Sequence, residues 1–591
     1  VEPRVVVVGR RLLAALFVFS LSFCVFIPSL KSEFVWDDIE YIEKISYRLS
    51  LSNIPEVFFK NIERERLSHY RPFLFISFVA DKELWGMSPF GFHLTNVILY
   101  AVSSLLFYLF SLFLLGEFNV RRREEIALLS SFLFALYPVH VESVSFVSAR
   151  ADVLCTLFFL PAFLFHVLSH RKPLFLIPSA LFFFFSLLSK EIAVSFPLLV
   201  LAFDIISCRF NKRSNILRYG VYLLLVLAYF YLRGGVSTTV PESVLSSGTE
   251  KALSKTGFDL FRVIKALFLS YLFYIGKLVF PYDLNPFIAT VPDGTFLLLF
   301  SVFLVSVLFL LCLLSVVKGE NLFALLVLWI SITLAPSLYP AVFPVAATPL
   351  AERFLFLPSS GYALLVGYLF FRLEDTLGLK RLGFALGLVL CLSFAVTTVR
   401  GQSIWKSSFS LWERAVNKAP GYVYTHGNYG LALMYAGRIE EALKEFQFAL
   451  TPEAKGNKAS KAVVANSLGL LYASKKKNLD MAEEWFLKSI SYNPRFYRSY
   501  YNLAIVYFMR ATSTRSPLYY KKAEEYLRKA MEVNSSYGNA YLLLAKVYIA
   551  LGRREEALSS ARKALEKGLP EPMEKEARRI VNALLYGPPG F

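Results

Sequence analysis

Cysteine, histidine and acidic residues are scarce in this chain: five cysteines and six histidines occur among 591 residues, and 44 Asp and Glu stand against 63 Lys and Arg. Cys24, Cys155, Cys208, Cys312 and Cys391 all lie in or at the ends of apolar runs. None falls in the polar C-terminal part or the long loops, which argues against a disulfide framework and leaves the compartment unfixed by cysteine. The histidines form no tight cluster with zinc spacing, so a zinc site is not expected. Charged residues make up only 18% of the chain, and the surplus of +19 is spread over connecting loops and the C-terminal part. No basic stripe with interleaved aromatics accompanies it, so lipid headgroups, not nucleic acid, are the expected partners. No small-residue cleavage site follows the first apolar run, which therefore reads as a retained anchor.

What the chain has in excess is apolar surface. It is 56% hydrophobic and 16% aromatic with 57 Phe, more than a soluble protein of this size would bury. Runs long enough to cross about 30 Å of hydrocarbon recur from Leu12 to Val399 and then stop. The expected spans are 12–30, 94–115, 126–144, 153–168, 174–188, 192–206, 216–232, 295–317, 322–336, 354–371 and 382–399, about eleven in all. Residues 1–400 are thus a polytopic membrane domain and residues 401–591 a separate soluble one. The short connections Arg121-Arg122-Arg123, Arg171-Lys172, 209–218 and 372–381 are rich in Lys and Arg and belong in the cytoplasm. Threading them in alternation places the N-terminus, with Arg4, Arg10 and Arg11, inside. The segment 258–280 carries Asp259, Arg262, Lys265 and Lys277; a spanning role would force 372–381 outside, so it is expected to lie in the interface or re-enter. The crossings are then odd in number, and the soluble domain lies outside the cytoplasm.

That soluble domain repeats. Leu468, Gly469, Tyr472 and Ala482, then Leu503, Ala504, Tyr507 and Ala523, then Leu544, Ala545, Tyr548 and Ala557 hold matching places in helix pairs of about 34 residues, the tetratricopeptide period. Gly430, Gly437, Ala442, Phe446 and Ala449 form an earlier copy, and Trp412, Ala415 and Pro420 half of another. Small residues let the paired helices approach and aromatics fill the gaps. The fold class expected is all-α: a polytopic transmembrane helical domain followed by an α-solenoid whose concave groove suits an extended polypeptide.

Charged residues beside spans mark functional sites. Asp37 and Asp38 follow the first span directly, which puts two carboxylates at a bilayer surface. His140, Glu142, Arg150 and Asp152 lie in the turn between the third and fourth spans, Lys190 and Glu191 at the end of the fifth, Tyr70 and Arg71 in the first loop, and Glu352 and Arg353 at the opening of the tenth. The threading turns all of them to one side. There Arg353, Lys190 and Arg150 are candidates to hold a lipid phosphate, and Asp37, or Asp38 as second choice, to act as the base on an acceptor hydroxyl. Repulsion between the two carboxylates should keep one pKa raised. The other charged groups would orient the sugar or the cations. A divalent ion held by Asp37 or Asp38 stays open; no other cofactor is expected.

Six segments in this order resemble the transmembrane and tetratricopeptide repeat containing O-mannosyltransferases and their prokaryotic relatives: Phe34-Val35-Trp36-Asp37-Asp38, Tyr70-Arg71-Pro72, the run from Leu84 to His93, Pro138-Val139-His140-Val141-Glu142 with Arg150-Ala151-Asp152, Lys190-Glu191, and Ala351-Glu352-Arg353. The resemblance covers nearly the whole chain and implies membership of the C-type glycosyltransferase superfamily. It further implies an acidic catalytic base in the first external loop, a polyprenyl-phosphate sugar as donor, and, in the animal proteins, mannose and serine or threonine acceptors. The repeats here number roughly four and a half, fewer than in many animal members. Two other classes stand beside this reading. One is a non-catalytic membrane scaffold that recruits partners through its repeats. The other is a lipid-linked glycan ligase, against which the short, histidine-free loop from Leu338 to Arg353 argues. A transporter would need paired interrupted helices, and none is visible.

Overall fold

The computed structural model describes residues 4–44, 54–59, 70–210, 212–237, 259–343 and 348–587. Phe258, at the edge of the expected interfacial segment, and residues 344–347 of the late loop lie outside these. Among the described residues the regular structure is helical, and the β-type pairings are the isolated bridges of Ile288 to Leu350 and of Tyr422 to Lys455. It divides into two compact units, Val1–Ser410 and Leu411–Phe591.

Among the described residues of the first unit eight helices are long and apolar enough to cross a membrane. They coincide with eight of the expected spans. The other three, 126–144, 174–188 and 192–206, fold as shorter pieces, each for a local reason. The helix Arg123–Ala135 stops before Tyr137-Pro138, because the residue preceding a proline is pushed out of the helical region. Pro173 opens a short 3-10 turn before the helix Leu176–Ser189. Lys190 is extended, and a second 3-10 turn, Glu191–Ser195, precedes the helix Phe196–Ile206. The segment with the intruding charges is a single helix, Leu260–Val279, capped by the Asp259 side chain, and is not one of the eight.

Lipid contact and helix packing divide the apolar residues. On the helix Thr295–Val317, Phe296, Phe309 and Val317 are 72–77% exposed, a surface suited to hydrocarbon, not water. Inside, Trp329 is wholly buried among Phe110, Phe159 and Phe163. A Cβ at Gly361 would stand 2.6 Å from its ring. Glycine there lets the helix Phe356–Leu377 close on Asn321–Leu334, and Ser360 Oγ takes the indole N–H at 3.0 Å.

The second unit is built of antiparallel pairs: Val423–Tyr435 with Ile439–Leu450, Lys458–Ser474 with Leu479–Tyr492, Tyr497–Thr514 with Pro517–Val533, and Gly538–Ala550 with Arg554–Lys567, followed by Glu571–Tyr586. The residues at matching repeat positions are those that close each pair. A Cβ at Gly430 would meet Phe446 at 2.7 Å, and one at Gly469 would meet Phe486 at 2.5 Å. Ala482, Leu503, Ala504, Tyr507, Ala523, Leu544, Tyr548 and Ala557 form one continuous core.

Candidate active site

The first loop is fastened at several points. Ser29 accepts no freedom: its N–H and hydroxyl both donate to Gln402 Oε1, at 3.1 and 2.8 Å, and its Oγ lies 2.7 Å from Ser145 Oγ. Glu33 N–H donates to the Lys406 carbonyl at 2.9 Å. A tight turn follows, closed by Asp38 N–H to Val35 O at 3.0 Å. Trp36 sits in this turn with φ +52°, a conformation costly for a bulky residue. Its ring holds it there, nearly parallel to Phe146 at 5.8 Å and to Trp405 at 6.5 Å.

The turn separates the two carboxylates. Asp38 is wholly buried; its Oδ1 accepts from Ser148 N–H at 2.7 Å and from the Ser148 hydroxyl, and its Oδ2 from Val35 N–H at 3.2 Å. Asp37 is only half-buried, and its charge is felt at Arg353. Burial pushes the Asp38 carboxyl up to about 7, with the Asp37 charge a minor contribution. The expectation that mutual repulsion would raise one member is corrected accordingly: desolvation does it, and the raised group is the one covered by protein.

Beyond the turn lie four ion pairs. Lys190 bonds to Asp152 with both side chains at most 4% exposed, and Arg353 bonds to Glu142 through its guanidinium and, at 2.9 Å, its backbone N–H. Arg71 grips Glu191 with two bonds of 2.7 and 3.1 Å. Lys277 reaches Glu352 at 2.8 Å, and Glu352 also accepts from Asn285 N–H at 3.1 Å. The cations meet at Phe354: Lys190 Nζ lies 4.9 Å and Arg353 Cζ 5.3 Å from its ring centroid. Burial pulls the Lys190 ammonium below its usual value against the pull of Asp152. Asp152 acts on Arg71, Lys190 and Arg353 alike, and its buried Oδ2 has no hydrogen-bond partner.

Two expected members stand elsewhere. Arg150 is wholly buried, paired with Asp81, bonded to Ser77 Oγ at 3.0 Å, to Phe92 O at 2.9 Å and to Asn96, and set over the Phe78 ring. Such a guanidinium knits the helices Pro72–Trp85, Pro89–Glu117 and Arg150–Ser169 together and has no surface for a phosphate. His140 is also wholly buried, held between Tyr100 OH at 2.9 Å and Ser359 Oγ at 2.7 Å and ringed by Phe134, Tyr137 and Phe356. It is a core histidine. Tyr70 donates to Phe58 O at 3.1 Å and anchors the entry of Arg71 into its helix. Lys277 is the addition the sequence reading missed; its signal was a lysine intruding on an apolar segment.

A divalent ion at the acidic pair fits poorly. Both oxygens of Asp38 are occupied by donors from the chain, and among the described residues no third ligand-type side chain gathers with the pair.

Residues 463–496 and 520–571 match family models described as tetratricopeptide repeat. The chain is similar to protein O-mannosyl-transferase F38B6.6 of Caenorhabditis elegans, 27% identical over 73% of this chain and 61% of that protein. It is similar to protein O-mannosyl-transferase TMTC1 of Homo sapiens at 27% identity over 71% of this chain and 53% of that protein. Protein O-mannosyl-transferase Tmtc3 of Drosophila melanogaster matches at 24% over 83% of this chain and 60% of that protein. The chain is a relative of these transferases. It spans roughly half to three fifths of their length.

Proposed function

We propose that this chain is an inverting, integral-membrane glycosyltransferase that moves mannose or another hexose from a polyprenyl-phosphate donor to serine or threonine hydroxyls of proteins held by its repeats. The observation that carries the reading is the half-buried Asp37 carboxylate in a fastened, strained turn, within the field of Arg353. The acceptor oxygen attacks the anomeric carbon, its proton passes to Asp37, and the bond from that carbon to the phosphate oxygen breaks. The polyprenyl phosphate departs with the electron pair. Arg353, one-fifth exposed, and Lys190 beside it stabilise the charge gathering on that phosphate. Asp38 shapes the turn and takes no proton from substrate. Asp152 holds Lys190 in place. The names of the relatives support the sugar and the acceptor class.

An apolar cleft of about 320 Å³ supports a lipid tail; Leu267, Phe268, Val305, Phe309, Cys312 and Leu338 are among its walls. It borders the helix Leu260–Val279, whose far end carries Lys277 to Glu352, next to Arg353. The site faces away from the cytoplasm in this reading, since the basic connections meet at the opposite end of the helix Arg150–Ser169: Arg171 and Arg209 both bond to Glu117 there. The N-terminus is then cytoplasmic and the repeats are not.

The test is transfer by the purified full chain, assayed with polyprenyl-phosphate mannose and polyprenyl-phosphate glucose against a serine- and threonine-rich peptide. Arg353→Ala should raise the donor KM at least tenfold, because the phosphate contact precedes reaction. Transfer of no hexose by a folded protein would leave the membrane-scaffold reading in its place.

A further inference from the structure

At the end of the helix Arg150–Ser169 away from the candidate active site, three ligand-type side chains converge. His166 Nε2 and His170 Nε2 lie 3.2 and 2.8 Å from the same oxygen, Oδ1 of Asp204 on the helix Phe196–Ile206. The three donor atoms fall within 4.8 Å of one another. His166 and His170 are four apart, so one helix face presents both, the spacing by which helical histidine pairs chelate a metal. His166 and Asp204 are fully buried, whereas His170 is 12% exposed at the rim.

The protons around His166 decide what the arrangement is for. Ser179 Oγ donates its one proton to the Ala162 carbonyl at 2.8 Å, so at 2.7 Å it accepts from Tyr222 OH. Tyr222 then has no second proton, and its oxygen accepts from His166 Nδ1–H at 3.0 Å. In the neutral imidazole that leaves a lone pair on Nε2, aimed at a carboxylate oxygen 3.2 Å away. Two lone pairs facing each other in a buried place repel, and a buried imidazolium would be costly to charge. A metal ion between them removes the conflict. The same chain supplies what a metal-binding histidine needs, a hydrogen-bond acceptor on its other nitrogen to fix tautomer and ring. Tyr219 OH does so for the carboxylate, donating to Asp204 Oδ2 at 2.7 Å and leaving Oδ1 to coordinate. The Arg218 guanidinium is engaged by Ser169 Oγ and O and by Asn215.

We propose that His166, His170 and Asp204 form a zinc site, with a fourth position open to water on the His170 side. Two imidazole nitrogens and one carboxylate oxygen are a zinc donor set. Ligands at about 2.0–2.2 Å from a tetrahedral ion stand about 3.3 Å apart, close to the 3.2 and 2.8 Å seen between these atoms. The ion would staple the helix Arg150–Ser169 to Phe196–Ile206, some 24 Å along the former from Arg150 by its 1.5 Å rise per residue. It is a stabilising ion, remote from sugar transfer.

The test is metal content of the full chain, purified in detergent with a tag that binds no metal, incubated with Zn²⁺ and freed of excess by gel filtration. The parent and His426→Gln, a control in the repeats, should hold about one zinc per chain, and Co²⁺ in its place should give the visible absorption of a four-coordinate site. Asp204→Asn and His170→Gln should each lose at least nine-tenths of the bound metal. His170 stands at the rim, so its variant decides the matter if Asp204→Asn does not fold. A parent that retains no zinc, or a folded His170→Gln variant that retains it all, overturns the proposal. So does nitrogen NMR showing His166 protonated on both nitrogens in the zinc-treated chain, which would make the cluster an ion triad.

Discussion

In the unit Val1–Ser410 the pair of Arg150 with Asp81 is 0% and 2% exposed and that of Lys190 with Asp152 3% and 4%, whereas in Leu411–Phe591 the pair of Lys575 with Glu571 is 69% and 67% exposed. The repeats use charge as a soluble protein does, in pairs along helix surfaces worth a few tenths of a kcal/mol each. The membrane unit pays a large desolvation cost to keep ions inside a bundle of apolar helices, and such pairs are poor devices for stability alone. In the proposed reading, the pairs of Lys190 and Arg353, which meet at the Phe354 ring, are kept for chemistry. Phosphate chemistry needs cations already dehydrated and fixed in place.

Breaking one pair in each unit measures that difference most strongly. Lys190→Met leaves Asp152, one of whose oxygens already lacks a partner, uncompensated in the interior. It should cost about 3–5 kcal/mol, read as loss of the folded membrane unit on heating in detergent, while Lys575→Met should cost at most about 0.5 kcal/mol. Equal small effects would mean that water reaches Asp152 and that the site is not desolvated.

Next in size is a pH effect confined to the first loop. The folded-state value of Asp38, about 7, lies above its usual 3.8, so the folded chain binds this proton more tightly. The stability so gained is complete below about pH 4 and is lost as the pH rises through 7, up to about 4 kcal/mol in all. The melting temperature of the parent, relative to Asp38→Asn, should therefore fall between pH 4 and pH 7. A flat difference would show Asp38 ionised throughout, kept so by Ser148 and Val35. The smallest effect concerns packing. Gly469→Ala places a Cβ 2.5 Å from Phe486 and should destabilise the repeats by about 1–3 kcal/mol. Gly276→Ala, with nothing within 4 Å, should be neutral or better in the membrane helix, since alanine is the stronger helix former.

Legibility in the sequence followed the same divide. The repeats could be read residue by residue because Gly430, Gly469 and their counterparts recur at similar intervals and contact near neighbours in the chain. Long spans were equally plain from composition. The three shorter helices were not, because apolar runs broken at Pro138, Pro173 and Lys190 keep their hydropathy while losing their length. Threading alone drew Asp37, Lys190 and Arg353 to one side; in the fold Lys190 and Arg353 share the Phe354 ring and the Asp37 charge acts on Arg353. Arg150 and His140 were not separable from them, since a charge beside a span looks the same whether it meets substrate or a buried partner; the partner Asp81 lies 69 positions away. The pair His166 and His170 was passed over because the third group, Asp204, comes from another helix, so the expectation that six histidines hold no ligand cluster is corrected by the fold.

The central claim is that the half-buried member of the acidic pair, and not the wholly buried one, takes the acceptor's proton. Asp37→Asn keeps shape and removes basicity, so hexose transfer from polyprenyl phosphate to a serine- and threonine-rich peptide should fall by about 10² to 10⁴ while donor binding is retained. An Asp37→Asn protein that binds donor and transfers sugar within about threefold of the parent, far short of the loss of a general base, would contradict it.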